Sequence, residues 1–423
     1  MKTSFPKDKI RVVLLENIHP RAEELLTAEG FRVESHKKAL EGAALVEVAR
    51  DAHALGIRST SLVKADVLAA CPRLLSVGAF CIGTNQIDVR SACLSGVPVF
   101  NSPFSNTRSV AELTIGEIVA LHRHLADKTA QMHAGRWDKS AAGAHELRGR
   151  TVGLVGYGRI GSQVSVLAEA MGMRVVFFDI LRVLPLGNAR ACKTLDELLS
   201  QSDVVSLHVP ATGKTKNLIG AAQIGKMRSG SYLINNARGS VVDIAALAAG
   251  LKSGKLAGAA LDVFPEEPAS NAEPFVSAVR GLANVILTPH VGGSTEEAQE
   301  SIAVDVATKL IRFVNNGSTS GAVNVPQVDL PEQNEPMEDE GGGPGAGPAE
   351  RRHRILHFHR NVPGVLKNLN AVMAEMGVNI VGQYLKTNEE VGYVVLDIAP
   401  GNVEAIGERL RAVPETIRVR VLY

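Results

Sequence analysis

Three short stretches between apolar runs carry the side chains best suited to chemistry. In NNARGSVVD (235–243), Arg238 stands alone among small residues. A guanidinium fork matches a carboxylate with two hydrogen bonds, so Arg238 could orient a hydroxy or keto acid; a surface ion pair is the competing reading. In LDVFPEEP (261–268), Pro265 and Pro268 stiffen the loop that bears Glu266 and Glu267. In LTPHVGGS (287–294), His290 follows Pro289, and Gly292 and Gly293 after it would let a ligand come close. A lone histidine is more often structural. One paired with a fixed carboxylate exchanges a proton near neutral pH, because the acid sets its tautomer and stabilises the imidazolium. Spacing alone does not say whether Glu267 reaches His290.

A fourth stretch, 151–180, reads as strand, glycine turn, helix, strand and acid. Gly156, Gly158 and Gly161 stand in G-x-G-x-x-G spacing after an apolar, β-branched run. The first glycine permits the turn, the second lets backbone approach a pyrophosphate, and the third lets helix pack on strand. The helix then aims unpaired N–H groups and its positive dipole end at the phosphates. Asp179 ends the next strand, 18 residues after Gly161. A carboxylate there accepts from a ribose diol and repels a 2′-phosphate, which favours NAD over NADP.

The elements around these loops alternate strand and helix. Strands are expected at 9–15, 33–35, 54–57 and 97–100, then at 151–155, 175–178, 204–208, 231–235, 257–261 and 285–287. That rhythm implies two doubly wound parallel-sheet, Rossmann-like α/β domains, with ligands at the carboxyl ends of the strands. A long helix at 107–126, capped by Thr107 or Ser109, leads into the nucleotide domain, and a second at 298–315 returns the chain to the first. We expect a discontinuous substrate-binding domain (1–106 and 294–327) and an NAD-binding domain (107–293). An acidic Gly/Pro-rich linker (328–350), too polar to order itself, then leads to a separate βαββαβ module (351–423). The linker's length suggests a loose tether.

A net charge of +1 gives no pull toward nucleic acid or an anionic membrane surface, and neither is expected as partner. No run of about 18 apolar residues suggests a span, and the first residues lack an apolar leader segment, so the expected location is cytoplasmic. Cys71, Cys81, Cys93 and Cys192 show no CxxC spacing and read as reduced thiols. His357 and His359 share a strand face, but with no third ligand evident they read as a solvent-facing pair, and no metal is expected. His122 and His124, two apart on a helix, do not face the same way. Trp137, the only tryptophan, reads as core or interface.

The stretches FCIGTNQID, NSPFSNTRSVAEL, GYGRIG, DVVSLHVP, NARGSVVD, LDVFPEEP and LTPHVGGST, with an HxNxPGVL tail, cover nearly the whole chain. Together they resemble the D-2-hydroxyacid dehydrogenase family, in the form that carries a C-terminal ACT domain. The resemblance implies NAD-dependent oxidation of 3-phospho-D-glycerate to 3-phosphohydroxypyruvate, the entry to L-serine synthesis. It makes His290 the acid/base, Glu267 its partner and Arg238 the holder of the substrate carboxylate. It also implies cofactor contacts at Gly156, Gly158, Arg159, Ile160, Gly161, Asp179, Asn236, Ala237, Arg238, Asp262, His290, Val291, Gly292 and Gly293. Lys37, Arg58, Ser59, Asn106 and Lys139 are similar to substrate contacts. Trp137 and Lys139 resemble a segment that reaches a neighbouring subunit of a homo-oligomer, most simply a tetramer with ACT–ACT contacts. His359, Asn361 and Asn379 resemble positions that bind L-serine as an inhibitory effector. Arg360 between them, and Thr60 after Ser59, depart from the family pattern. Reduction of 2-oxoglutarate is a possible side activity. The alternatives are a glyoxylate or hydroxypyruvate reductase and, in another class, an NAD-sensing corepressor-like protein.

Overall fold

The computed structural model describes residues 6–268, 273–331, 353–399 and 402–422. They form two compact units, Met1–Pro103 with Gln299–Tyr423, and Phe104–Ala298. Asn106, expected in the first domain, therefore belongs to the second unit, and the tail module belongs to the first.

The first unit contains strands β1 (Arg11–Leu14), β2 (Arg32–Ser35), β3 (Ala54–Ile57), β4 (Ser76–Ala79) and β5 (Val99–Asn101), all parallel, in the order β2-β1-β3-β4-β5. β3, β4 and β5 are buried along their whole length, which is why they read as continuous apolar runs. The helix Glu296–Asn316 lies across the sheet at Gly78, where an added Cβ would come within 2.7 Å of Val306. The strand order reverses between β1 and β3, the switch point at which open α/β sheets bind ligands.

The second unit holds β6 (Thr151–Val155), β7 (Arg174–Phe178), β8 (Arg190–Ala191), β9 (Val204–Leu207), β10 (Ser231–Asn235), β11 (Leu256–Leu261) and β12 (Val285–Leu287). Their parallel order, β12-β11-β10-β9-β6-β7-β8, is that of a dinucleotide-binding sheet extended by one strand, with its switch point between β6 and β9. The helix Thr107–His122 begins at Asn106, not at a Thr107 or Ser109 cap: the Thr107 hydroxyl donates to Phe104 O at 2.7 Å. It ends before 126, because His124 is left-handed (φ 51°) and a separate helix, Leu125–His133, follows. His122 is buried, with Nδ1 2.8 Å from Ile118 O and its ring 4.5 Å from that of Tyr232. Trp137 is 78% exposed on this chain, so it is not core.

The tail folds as β13 (His353–Arg360), helix Val365–Glu375, β14 (Ile380–Thr387), β15 (Val391–Ile398), helix Val403–Arg411 and β16 (Thr416–Leu422). The sheet is antiparallel, ordered β14-β15-β13-β16. One face covers Leu369, Met373 and Ile406; the other shares a core with the first sheet's helix, joining Leu356, Phe358 and Tyr393 to Phe313 and Val314. The loose tether expected of the tail is thus replaced by docking. Tyr393 donates to Gly317 O at 2.6 Å, and Arg420 donates to Val314 O at 2.9 Å. Arg354, 2% exposed, forks onto Asp397 at 2.7 and 2.9 Å and gives Nη1 to the carbonyls of Asn316 and Pro331. Val328 and Leu330, expected at the start of the linker, are buried in the same core; residues 332–350 lie outside those described. The histidine pair is a second correction. His357 and His359 are buried, because the β13 face that carries them is covered within the fold, and burial, with a smaller contribution from the neighbouring His359, takes His357 down to about 3.

Candidate active site

The glycine turn after β6 is built from backbone contacts that no larger residue could make. Gly156 is left-handed (φ 93°), and a Cβ there would stand 2.5 Å from His208 O; one on Gly161 would stand 2.3 Å from Gly156 O. Around Gly158, by contrast, an added Cβ meets nothing within 4 Å, which leaves the room a pyrophosphate needs. The helix Arg159–Ala170 starts there with its first N–H groups pointing into that space. Asp179 sits at the end of β7, its carboxylate accepting Tyr157 N at 2.7 Å and Leu181 N at 2.8 Å, so the acid is fixed beside the turn. These residues fit an NAD molecule. Arg159 stacks on Phe104 at 3.6 Å, a contact that sequence spacing does not reveal. His208, after β9, carries no such signal either: half-buried and held down to about 4 by desolvation, it backs the turn as a neutral ring.

Glu267 reaches His290. Their Oε2 and Nδ1 atoms are 2.9 Å apart, and Glu267 Oε1 also accepts Phe264 N at 3.1 Å. The hydrogen bond that His290 donates to Glu267, outweighing burial, raises the His290 pKa above its usual 6.5. Burial pushes Glu267 up, but the His290 and Phe264 hydrogen bonds together bring it below the ordinary carboxylate range. His290 is itself left-handed (φ 55°), a conformation that a non-glycine residue keeps only when its surroundings hold it. Asp262, 1% exposed, supplies that hold by accepting the Thr288 hydroxyl (2.7 Å) and the N–H groups of Val291 (2.8 Å) and Gly292 (2.7 Å). The two glycines serve this packing: a Cβ on Gly292 would press on Asp262, and one on Gly293 would stand 2.1 Å from Asn106 Nδ2. Room for a ligand was the expected reason; close approach of Asp262 and Asn106 is the observed one.

Arg238 is half-buried after β10, its Nη1 donating to Ala237 O at 2.7 Å, and its charge acts on both His290 and Glu267. Gly239 brings the loop against the Glu267 loop so closely that a Cβ would meet Phe264 C at 1.9 Å. Beneath, Asn236 donates to Thr114 Oγ1 (3.1 Å) and Glu117 Oε2 (2.6 Å). Desolvation, only partly offset by Asn236, lifts Glu117 to about 8, so this buried carboxyl is neutral at pH 7. Its signal in the sequence is an acid on the apolar face of a helix, next to Ile118.

Among the remaining expected residues, Lys37, Arg58 and Ser59 lie in the first unit, Lys37 and Ser59 exposed. Asn106 and the exposed Lys139 lie in the second. In the tail, His359 Nδ1 donates to Arg360 O (2.7 Å), and the buried Nε2 has no hydrogen-bond partner among the described residues. Asn361 donates to Asn388 O at 2.7 Å, and Asn379 is exposed.

A strand-turn-helix for a dinucleotide and a carboxylate–histidine pair beside an arginine define a dehydrogenase of small acids. A family profile described as "D-isomer specific 2-hydroxyacid dehydrogenase, NAD binding domain" matches residues 115–292, and one described as "AHAS small subunit-like ACT domain" matches 355–418. The chain belongs to the D-2-hydroxyacid dehydrogenase family and is an NAD-dependent oxidoreductase. Within that family, its full-length likeness is to proteins named D-3-phosphoglycerate dehydrogenase. That of Haemophilus influenzae is 50% identical over 423 residues, covering 100% of this chain and 99% of the other. That of Escherichia coli is 50% identical over 425 residues, covering 100% of both. Among solved structures, D-lactate dehydrogenase from Aquifex aeolicus, complexed with NAD and lactic acid, is 28% identical with a TM-score of 0.63, covering 72% of this chain and 96% of that one.

Proposed function

We propose that the chain oxidises 3-phospho-D-glycerate to 3-phosphohydroxypyruvate in L-serine synthesis. The observation that carries this reading is the 2.9 Å Glu267–His290 pair with Arg238 beside it, in a chain whose full-length relatives bear that enzyme's name. NAD, when bound, supplies the hydride acceptor. Arg238 orients the substrate carboxylate with its guanidinium fork. Because Nδ1 of His290 is engaged by Glu267, Nε2 is the atom that takes the C2 hydroxyl proton, and Glu267 stabilises the imidazolium so formed. Arg58 and Ser59, with Lys37 and Asn106, contact the substrate's acidic groups.

The pH dependence follows from the pair. Oxidation needs neutral His290, so kcat/KM rises with pH through a pKa above the usual 6.5, and reduction shows the opposite slope. Glu267→Gln removes the interaction that raises His290. It is expected to move the rise to lower pH and to cut kcat at least tenfold, read from pH–rate profiles in both directions. An unshifted profile would remove Glu267 from its role.

We further propose that L-serine inhibits through the tail, where Asn361 and Asn379 are exposed. Pairing of two such tails, Trp137 exposure and the neighbouring Lys139 fit a homotetramer, and the reaction fits the cytoplasm. The test is NADH formation from 3-phospho-D-glycerate and NAD with and without L-serine. Turnover suppressed by serine is expected; turnover indifferent to saturating serine would leave the tail an assembly module. Reduction of 2-oxoglutarate in the same assay would establish the side activity.

A further inference from the structure

The loops on either side of the first sheet's switch point are tied together by one carboxylate. Glu16, just beyond β1, accepts three backbone N–H groups from the turn after β3: Arg58 (3.1 Å) and Ser61 (2.8 Å) on Oε1, and Thr60 (3.0 Å) on Oε2. Its own N–H donates to Lys38 O, and that of Asn17 donates to His36 O, so the turn bearing Lys37 hangs from the same point. Leu40 N closes the arrangement on Ser61 Oγ at 3.1 Å. Glu16 and Asn17 are consecutive left-handed residues (φ 62° and 52°), a backbone that side chains seldom adopt and that strain makes worth holding only where it sets something in place. From the other side, Gln86, 8% exposed, donates Nε2 to Arg58 O at 2.5 Å. Arg58 is thus gripped at both its N–H and its carbonyl, while Ser59 beside it stays exposed.

We propose that Glu16 and Gln86 form a clamp that positions Arg58 and Ser59 to receive the acidic end of the substrate, with Glu16 the main determinant of how tightly that end is held. The inference rests on the assignment of Arg58 and Ser59 to the substrate. Three N–H groups converging on one point make a nest that attracts anions. With Glu16 in the nest, no free anion can occupy it, and the incoming group meets Arg58 and Ser59 on a backbone whose path is fixed before binding. A turn whose backbone is already set loses less freedom on binding than a mobile one, and the benefit is in affinity. Glu16 and Gln86 act through the backbone of Arg58 and its neighbours, so they are positioning residues.

The test is a graded series, Glu16→Gln, Glu16→Ala and Gln86→Ala, with Arg58→Ala as control. Each variant is assayed in the oxidation of 3-phospho-D-glycerate for kcat, for the substrate KM and for the NAD KM. Glutamine keeps one acceptor oxygen and can retain the Arg58 and Ser61 bonds. The substrate KM is expected to climb from wild type to Gln to Ala, the last raised at least tenfold, with kcat within threefold and the NAD KM unmoved. Gln86→Ala is expected to raise the substrate KM severalfold. If Arg58→Ala raises that KM but neither Glu16 variant does, the clamp is wrong and the substrate assignment stands. A fall in kcat for the Glu16 variants without a rise in KM would also sink the clamp. If Arg58→Ala leaves KM unchanged in an active enzyme, the assignment fails and the clamp fails with it.

Discussion

Replacing His290 with alanine is expected to slow the oxidation of 3-phospho-D-glycerate by roughly 10²–10⁴-fold in kcat, the range that positioned acid–base groups supply. The Kd for NAD should change by no more than about threefold, because the glycine turn, Asp179 and the Asp262 carboxylate that grips Thr288, Val291 and Gly292 are untouched. Relief of the left-handed strain at residue 290 is small beside this, since alanine meets the same steric penalty there. The Glu267 variant should lose less, because it acts only through His290. A His290→Ala enzyme with wild-type kcat would overturn the proton-transfer role outright. A variant that lost NAD binding as well would show that His290 holds the loop and not merely the proton.

The second large effect concerns stability. Asp397→Ala would leave the Arg354 guanidinium, 2% exposed, with two backbone carbonyls and no counter-charge among the described residues. Removing one partner of a buried pair costs about 3–5 kcal/mol. For a folding unit of this size that corresponds to a fall in melting temperature of roughly 6–20 °C, read by calorimetry. The control is Arg354→Met with Asp397→Leu. Removing both charges abolishes the uncompensated ion, so the double variant should recover most of the loss. A single Asp397→Ala variant that melts like wild type would mean that the Arg354 fork contributes nothing to docking of the tail on Asn316 and Pro331. Because that docking is part of one shared core, the variant is also expected to weaken any influence of the tail on catalysis.

The parallel sheets and glycine turn are legible in the sequence because they depend on local regularities. β-branched runs buried on both faces, glycines where Cβ atoms cannot fit, and an acid at a strand end are each dictated within a few residues. What spacing cannot carry is contact between distant loops. Glu267 meets His290 across 23 residues of chain, and Gly239 lets the Arg238 loop press against the Phe264–Pro265 backbone. Asp262 resembles a cofactor contact, yet in the structure its carboxylate is occupied with the His290 loop. Glu16 leaves no pattern at all: one acid in a loop looks like any solvated charge until three N–H groups are seen to converge on it. The histidines of β13 mislead for a related reason. Strand alternation tells which residues share a face but not whether that face is covered, and His357 and His359 prove to be buried on the face that packs against the tail's own helices. The start of the acidic stretch misleads in the same way, because Val328 and Leu330 have a core to enter that composition could not reveal.

The most direct measurement compares kcat/KM with the phosphorylated acid, 3-phospho-D-glycerate, against kcat/KM with D-lactate and with glycolate, NAD being the acceptor throughout. A chain whose Arg58 and Ser59 receive the distal acidic group should prefer the phosphorylated acid by at least about 100-fold, since a site built around a charged group rejects analogues that lack it. Comparable rates with the unphosphorylated acids, or no turnover of 3-phospho-D-glycerate by a chain that binds NAD, would contradict the proposed substrate.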